Sequence, residues 1–187
     1  MLDLVINSFK ESAETKLAFV ELYAERILEV GQIMARALKD GNKVLLFGNG
    51  GSAADAQHIA AEIVGRFRKE RRALPALALT TDTSILTAVS NDYGFETIFE
   101  RQMEALCMPG DISIGITTSG NSPNVLRGLM KAHDLGATTV AFTGKGGGKV
   151  VEVAHYSFVV PSYDTARIQE CHITLGHVLC EIVDRLL

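Results

Sequence analysis

The chain opens with a long stretch of helical periodicity. Over residues 16–38 apolar side chains recur every three or four positions, and residues 4–12 carry a shorter pattern of the same kind. Residues 40–42, Asp-Gly-Asn, are typical of a helix C-terminus. The pattern therefore predicts an N-terminal helical extension over residues 1–40, built from a short helix and a long one. Its apolar stripe fits a subunit interface and packing within the subunit equally well.

Strands and helices alternate after this extension. Short apolar runs predict five strands, at residues 43–47, 76–79, 111–116, 138–142 and 156–160. Helical patterns begin at Ser52 and continue over residues 85–90, 123–135 and 166–187. Strands that are apolar throughout and separated by helices indicate a parallel sheet covered on both faces. The sequence predicts one domain, residues 1–187, folded as a three-layer α/β/α sandwich with a five-stranded parallel sheet of the Rossmann-like or flavodoxin-like kind.

Composition and charge argue against nucleic-acid-binding, membrane-spanning and secreted proteins. The 187 residues carry 18 basic and 22 acidic side chains, and this net charge of -4 does not favour a nucleic-acid-binding domain. No apolar run reaches the length of a membrane span, and the N-terminus lacks a signal-peptide pattern. Three cysteines without CxxC spacing indicate reduced thiols and a cytoplasmic protein. The basic run at residues 66–72 is most simply a solvated face, with steering of an anionic substrate as the alternative.

Three loops follow the predicted strands, where ligands of an open parallel sheet bind. Residues 48–52, Gly-Asn-Gly-Gly-Ser, let backbone amides approach an anion at a helix start, although a plain tight turn fits them too. Residues 117–122 offer four hydroxyls ahead of a helix, and these donors suit a phosphate without any cation. Residues 144–149 fail the nucleoside-triphosphate motif at Thr143 and Val150, which favours a mobile surface loop.

Polar residues on two predicted helices are suited to metal binding or proton transfer. His58 and Glu62 are four residues apart and share a helix face. On the last helix, Gln169 and His177 lie roughly 80° apart around the axis. His172 and His177 lie roughly 140° apart, so one of these two histidines is structural, and periodicity alone does not choose between them.

Taken together, these residues resemble the sugar isomerase (SIS) domain family, and within it the enzymes that isomerise seven-carbon sugar phosphates. The resemblance runs from about residue 10 to the C-terminus. It rests on Gly-Asn-Gly-Gly-Ser at 48–52, Asp-Ala-Gln-His at 55–58, Ala-Glu at 61–62, Asn-Asp-Tyr-Gly-Phe at 91–95, Thr-Ser-Gly-Asn-Ser at 118–122, Thr-Gly-Lys at 143–145, Arg-Ile-Gln-Glu at 167–170 and His177. The resemblance implies the predicted sandwich and an N-terminal extension that helps to build a homotetramer.

The resemblance also implies roles for individual residues. Substrate contacts are expected from Asn49, Gly50, Gly51, Glu62, Asn91, Asp92 and Gln169. Phosphate contacts are expected from Thr117, Thr118, Ser119 and Ser122. One zinc ion per subunit is expected at His58, Glu62, Gln169 and His177, and here the choice of His177 over His172 comes from the resemblance. Thr117 stands where many relatives have serine, and threonine keeps the hydroxyl group at this position.

The activity implied is conversion of D-sedoheptulose 7-phosphate to D-glycero-D-manno-heptose 7-phosphate through an enediol, the first step towards heptose for lipopolysaccharide. Glu62 and His177 fit the base and acid roles that this chemistry needs, and the resemblance does not fix which of them transfers which proton. Zinc would polarise the sugar oxygens. An alternative within the family is a non-catalytic partner of the replication initiator, a branch that tends to lack counterparts of Glu62 and His177. A sugar-phosphate sensor or another ketose isomerase would share only the phosphate loop, and a nucleotide-binding Rossmann protein would need an acidic partner that the chain lacks.

Overall fold

The computed structural model describes residues 1–187 and contains six α-helices around one five-stranded sheet. The strands are β1 (Val44–Gly48), β2 (Ala76–Ala78), β3 (Ile112–Ile116), β4 (Thr138–Thr143) and β5 (Tyr156–Val159). The helices are α1 (Leu2–Lys39), α2 (Gly51–Val64), α3 (Thr83–Tyr93), α4 (Ile98–Leu106), α5 (Pro123–Asp134) and α6 (Thr165–Leu186). Short 3₁₀ turns lie at Phe95–Thr97 and Lys149–Glu152.

The sheet is parallel throughout, with the strand order β2-β1-β3-β4-β5. Every residue of β1 and β3 is buried, because helices cover both faces of these central strands. Side chains alternate between the faces: Val44 and Leu46 pack with α1, α2 and α6, whereas Leu45 and Phe47 pack with α4 and α5. The predicted three-layer sandwich is thereby confirmed.

A crevice for ligands arises between β1 and β3. These strands are neighbours in the sheet, yet the chain leaves β1 towards α2 on one face and leaves β3 towards α5 on the other. Such a reversal of direction opens a cleft beyond the carboxyl ends of the two strands. The loops at residues 48–52 and 117–122 border this cleft.

The N-terminal extension is one continuous helix of 38 residues, so the predicted division into a short and a long helix is wrong. No glycine or proline interrupts residues 2–30, and the helical pattern simply continues. Phe19, Ile27, Val30 and Met34 are buried in the core shared with α6, which shows packing within the subunit. The same helix leaves many large apolar side chains exposed, among them Leu2, Leu4, Val5, Ile6, Phe9, Leu17, Val20, Leu22 and Leu28.

Helix α4 was absent from the sequence prediction. Its buried residues are Ile98, Phe99, Gln102 and Met103, a spacing that places one helix face against α5. Gln102 is polar but donates to the carbonyls of Leu79 and Ile98, which satisfies its amide in the core. None of the six helices combines the length and the apolar character that a membrane span requires. The three cysteines are all buried and unpaired.

Candidate active site

Three of the four predicted zinc ligands meet where α2 packs against α6. His58 Nε2 lies 2.9 Å from His177 Nε2 and 3.4 Å from Glu62 Oε1. The ligand atoms of these three side chains all lie within 4.8 Å of one another. The pair on α2 is one helical turn apart, and α6 contributes the second imidazole from across the helix contact.

Two glycines bring α2 and α6 close enough for this meeting. A methyl group at Gly176 would overlap the side chain of Ile59, so only glycine allows the helices to approach here. His177 directly follows Gly176, and His58 directly precedes Ile59, so this close contact brings the two histidines together. At the other end of the contact, a methyl group at Gly51 would overlap the amide nitrogen of Gln169. Gln169 therefore lies against the N-terminus of α2, beside the glycine loop.

The structure separates the two histidines that periodicity left undecided. His172 is fully buried and donates from Nε2 to the carbonyl of Thr143 at 3.1 Å. Burial lowers the pKa of His172 to about 4, although the hydrogen bond to Thr143 opposes that shift. His172 is thus a neutral core residue, and His177 is the histidine that lies with His58 and Glu62.

The hydroxyl loop at residues 117–122 gathers three of its four predicted phosphate ligands. Thr117 Oγ1 lies 2.9 Å from Ser122 Oγ and 3.5 Å from Ser119 Oγ. Ser122 is the N-cap of α5, but its side chain makes no capping hydrogen bond and stays available to a ligand. Thr118 is half-buried and makes no hydrogen bond through its side chain. Hydroxyls and free backbone N–H groups at a helix N-terminus are donors of the kind that phosphate oxygens accept from.

The glycine-rich loop at residues 144–149 lies partly at the surface, where Lys145, Gly146 and Lys149 are exposed, but Gly147 and Gly148 pack against the hydroxyl loop. The backbone of Gly120, in the hydroxyl loop, touches the backbone of Gly147 and Gly148 so closely that neither Gly120 nor Gly148 could carry a side chain. Val150 N–H donates to the carbonyl of Gly120, and Lys149 N–H donates to the side chain of Asn121. Through these contacts the glycine-rich loop restrains the backbone of the hydroxyl loop at Gly120 and Asn121.

Asn124 is a residue of the site that sequence reasoning missed. Its amide exchanges two hydrogen bonds with the amide of Asn49, at 2.9 and 2.8 Å, and is 2% exposed. Asn124 Oδ1 also accepts from Val125 N–H, which fixes the orientation of its amide and hence that of Asn49. The glycine loop of β1 is thus joined to the start of α5, across the cleft. The sequence signal for this role was the position of Asn124, an asparagine in the first turn of the helix that follows the hydroxyl loop.

Asp55 adds a second carboxyl group to α2, one turn before His58. Its Oδ2 is buried and has no hydrogen-bond partner. Burial raises the pKa of Asp55, and the charge of His58 lowers it in part. This group keeps its proton to a higher pH than an exposed aspartate, and the sequence had suggested no role for it.

Asn91 and Asp92 make no hydrogen bond to the other predicted site residues. Both are exposed at the end of α3, and Asn91 donates to Asp92 at 2.8 Å. None of their hydrogen bonds joins them to the cluster on α2 and α6 or to the hydroxyl loop. Helix α3 as a whole buries no residue within the subunit.

The basic run at residues 66–72, which we call the strap, is only partly a solvated face. The side chain of Arg71 is buried and forms an ion pair with buried Asp184 on α6, Nε to Oδ1 at 2.7 Å. Its guanidinium also donates to the carbonyls of Glu62 and Ile63, so it caps the C-terminus of α2. Burial raises the pKa of Asp184, but hydrogen bonds from Lys69, Arg68 and Arg71 outweigh it and hold that pKa below its usual value. Arg71 is therefore a structural residue.

Comparison with known proteins identifies the family of this chain. Residues 8–144 match the model of the SIS domain. The chain is 78% identical over 186 residues to the phosphoheptose isomerase of Aquifex aeolicus, covering 100% of this chain and 97% of that protein. It is 52% identical to the phosphoheptose isomerase of Aliarcobacter butzleri over 98% of this chain and 97% of that protein.

Solved structures agree with the sequence relatives. The phosphoheptose isomerase of Neisseria gonorrhoeae superimposes with a TM-score of 0.93 at 42% identity, with 98% of each chain covered. That of Francisella tularensis gives a TM-score of 0.94 at 39% identity, again with 98% of each chain covered. The chain therefore belongs to the SIS domain family and, like these relatives, is an aldose–ketose isomerase.

Proposed function

We propose that the protein is a phosphoheptose isomerase that converts D-sedoheptulose 7-phosphate to D-glycero-D-manno-heptose 7-phosphate. The observation that supports this most directly is that His58, Glu62 and His177 converge in a chain that also carries a hydroxyl loop suited to phosphate. The 78% identity to a protein named phosphoheptose isomerase supports the same substrate class. In this proposal the reaction is cytoplasmic and is the first step of heptose supply for lipopolysaccharide.

The proposed chemistry is a proton transfer between adjacent carbons. Glu62 removes a proton from the carbon beside the ketose carbonyl while the carbonyl oxygen gains a proton, which gives an enediol. His177 acts as the acid that delivers a proton to the former carbonyl carbon, and the hydroxyl on the first carbon loses its proton as the aldehyde forms. The hydroxyl loop and the N-terminus of α5 hold the phosphate, and Asn49, with Gly50 and Gly51, binds the sugar. Asn91, Asp92 and Gln169 are proposed as further sugar contacts.

We also propose that His58, Glu62 and His177 hold one zinc ion per subunit, with Gln169 as the fourth ligand. The residues fit the metal, because imidazole nitrogens and a carboxylate oxygen are donors that zinc takes, and these atoms already converge. Gln169 lies beside the glycine loop, at the same helix contact. Bound zinc would act as a Lewis acid towards the sugar oxygens.

Zinc loading tests this ligand set. We expect His58→Ala to retain much less zinc than the unaltered protein, because it removes one of two imidazole ligands. Metal analysis after loading with zinc and desalting measures the difference. Replacement of the surface histidine His133, which lies outside the cluster, serves as the control and should leave the zinc content unchanged. Equal zinc in His58→Ala and in the unaltered protein would refute the site.

The phosphate assignment is tested at Ser122. We expect Ser122→Ala to raise KM by roughly 10- to 100-fold with a smaller change in kcat, the loss expected when a hydrogen bond to a charged group, about 1.5–3 kcal/mol, is removed. The phosphate carries the same charge in substrate and transition state, so the lost binding is mostly uniform. Steady-state kinetics beside Ser84→Ala, a change to an exposed hydroxyl in α3, decides the matter. An unchanged KM for Ser122→Ala would contradict the assignment.

A homotetramer is the assembly we propose, with α1 at the interfaces. A groove of about 280 Å³ between α1 and α6 is lined almost entirely by apolar residues, and Leu22 and Leu28 lie exposed on α1. A second copy of the chain, rather than water, would cover such a surface. Light scattering should give a mass four times the 20.2 kDa of the chain. Leu28→Glu should lower that mass, Glu25→Gln should not, and a stable monomer of the unaltered protein at micromolar concentration would contradict the proposal.

The substrate itself gives the direct test of the proposed function. Incubation with sedoheptulose 7-phosphate, followed by NMR, should show signals of an aldoheptose phosphate. Binding of this sugar phosphate without conversion would overturn the proposed reaction in favour of a binding role or of another sugar phosphate substrate.

A further inference from the structure

The strap places an aromatic ring against the candidate acid of the site. The Phe67 ring stacks on the imidazole of His177, with ring centroids 5.4 Å apart and an angle of 20° between the planes. The imidazole of His58 also packs against the imidazole of His177, with ring centroids 5.1 Å apart and an angle of 69° between the planes. His177 is therefore held between a flat apolar surface and its partner in the cluster.

Buried hydrogen bonds hold this ring in place. Asp184, which is 2% exposed, accepts from the backbone N–H groups of Arg68 and Lys69 at 2.7 and 3.0 Å. These are the two residues that directly follow Phe67. Asp184 lies on α6 seven residues after His177, two helical turns along the same face. One rigid helix thus carries both the imidazole and the carboxylate that fixes the strap opposite it.

No hydrogen bond other than the one to His58 orients the His177 ring. Its hydrogen bond is made by Nε2, towards His58, and Nδ1 makes none. Histidines that bind metals are usually oriented by a hydrogen bond at the second ring nitrogen. The torsion that turns an imidazole about its Cβ–Cγ bond is broad and weakly restrained. A stacked aromatic ring restrains that same torsion by blocking the rotation of the plane.

We propose that Phe67 is a positioning residue for His177: the strap, fastened to Asp184, stacks Phe67 on the imidazole and keeps Nε2 directed at His58 and Glu62. This role rests on the proposed function, because it matters for zinc binding and proton transfer by His177. Arg68 supports the arrangement, since its guanidinium lies 5.3 Å from the centroid of the Phe67 ring.

NMR of the histidine rings tests the stack without zinc or substrate. In protein with isotopically labelled histidine, the ring protons of His177, assigned through their loss in His177→Gln, should be shifted upfield by the ring current of Phe67. Phe67→Leu keeps apolar bulk but has no ring, so it should abolish the shift. Phe67→Tyr should restore it. The same His177 shifts in Phe67→Leu and the unaltered protein would overturn the proposal.

Zinc affinity tests the consequence of the stack. Phe67→Leu should bind zinc about 10-fold or more weakly in competition with a chelator, the usual loss when a supporting partner of a metal ligand is removed. Phe67→Tyr should recover most of that affinity, which a purely structural effect of any substitution would not explain. Lys69→Ala is the matched control, because it removes a charge from the strap and leaves the stack intact.

The two parts of the experiment separate the two ideas. If the unaltered protein neither binds zinc nor isomerises sugar phosphate, the proposed function fails while the NMR shifts still test the stack. If the unaltered protein binds zinc and Phe67→Leu binds it equally well, Phe67 does not position His177.

Discussion

Replacing Glu62 with glutamine is expected to lower isomerisation by at least about 10²-fold, the scale of a lost general base. Glutamine keeps the size of the side chain but cannot accept a proton from carbon. In deuterated water the unaltered enzyme should introduce deuterium at the carbon next to the carbonyl, because an enediol exchanges protons with solvent. Glu62→Gln should lose this exchange together with turnover, which NMR of the sugar measures directly.

Two controls make the result specific to proton transfer. Glu62 is also a proposed zinc ligand, so the zinc content of the variant and its affinity for the sugar phosphate must be measured alongside. Glu70→Gln is the matched variant, because Glu70 is a carboxylate exposed on the strap and paired only with Arg66. If Glu62→Gln keeps its metal and still exchanges deuterium at the native rate, Glu62 is not the base and His177 becomes the candidate.

Arg71→Ala is expected to lower the free energy of unfolding by about 3–5 kcal/mol. It leaves the carboxylate of Asp184 buried without its cation, and breaking a buried ion pair from one side carries a cost of this size. It also removes the donors that cap the carbonyls of Glu62 and Ile63 at the end of α2. Urea denaturation at equal protein concentration measures the difference, since assembly would make stability depend on concentration.

Arg68→Ala is the matched comparison on the same strap. Arg68 pairs with Glu181 at 3.4 Å, but its side chain is 68% exposed, and exposed ion pairs contribute about 0–1 kcal/mol. Its backbone N–H, which donates to Asp184, is unaffected by the change. Equal losses in the two variants would show that the ion pair of Arg71 contributes little more than a surface contact does.

The order of strands and helices was largely readable from the sequence, because buried parallel strands are continuous apolar runs. Residues 43–47 and 111–116 were predicted as strands, and the structure has them at Val44–Gly48 and Ile112–Ile116. Helix α4 was missed although Ile98, Phe99 and Met103 recur at helical spacing, because their polar neighbours dilute a segment of only nine residues. The continuity of α1 was missed because residues 12–16 carry no large apolar side chain, so the apolar periodicity lapses there although no helix breaker is present.

The candidate site was predicted in its residues but not in its geometry. Angular spacing on a helix tells which side chains share a face, and it could not choose between His172 and His177 because it does not say where the sheet lies. Burial against Thr143 answers that question. The roles of Asn124 and Arg71 depend on partners far along the chain, Asn49 and Asp184, and no local pattern reveals such partners.

The contact between the backbones of Gly120 and Gly148 has a consequence for the thermodynamics of ligand binding. A loop that is free in solution loses conformational entropy when a ligand orders it, and this loss subtracts from the affinity. The hydroxyl loop is braced by a second loop at a distance that excludes any side chain, so its conformational entropy is lost when the chain folds. Phosphate then meets donors that already face it, and its binding should show the small heat-capacity change of a rigid polar site, without the signature of a segment that folds on binding.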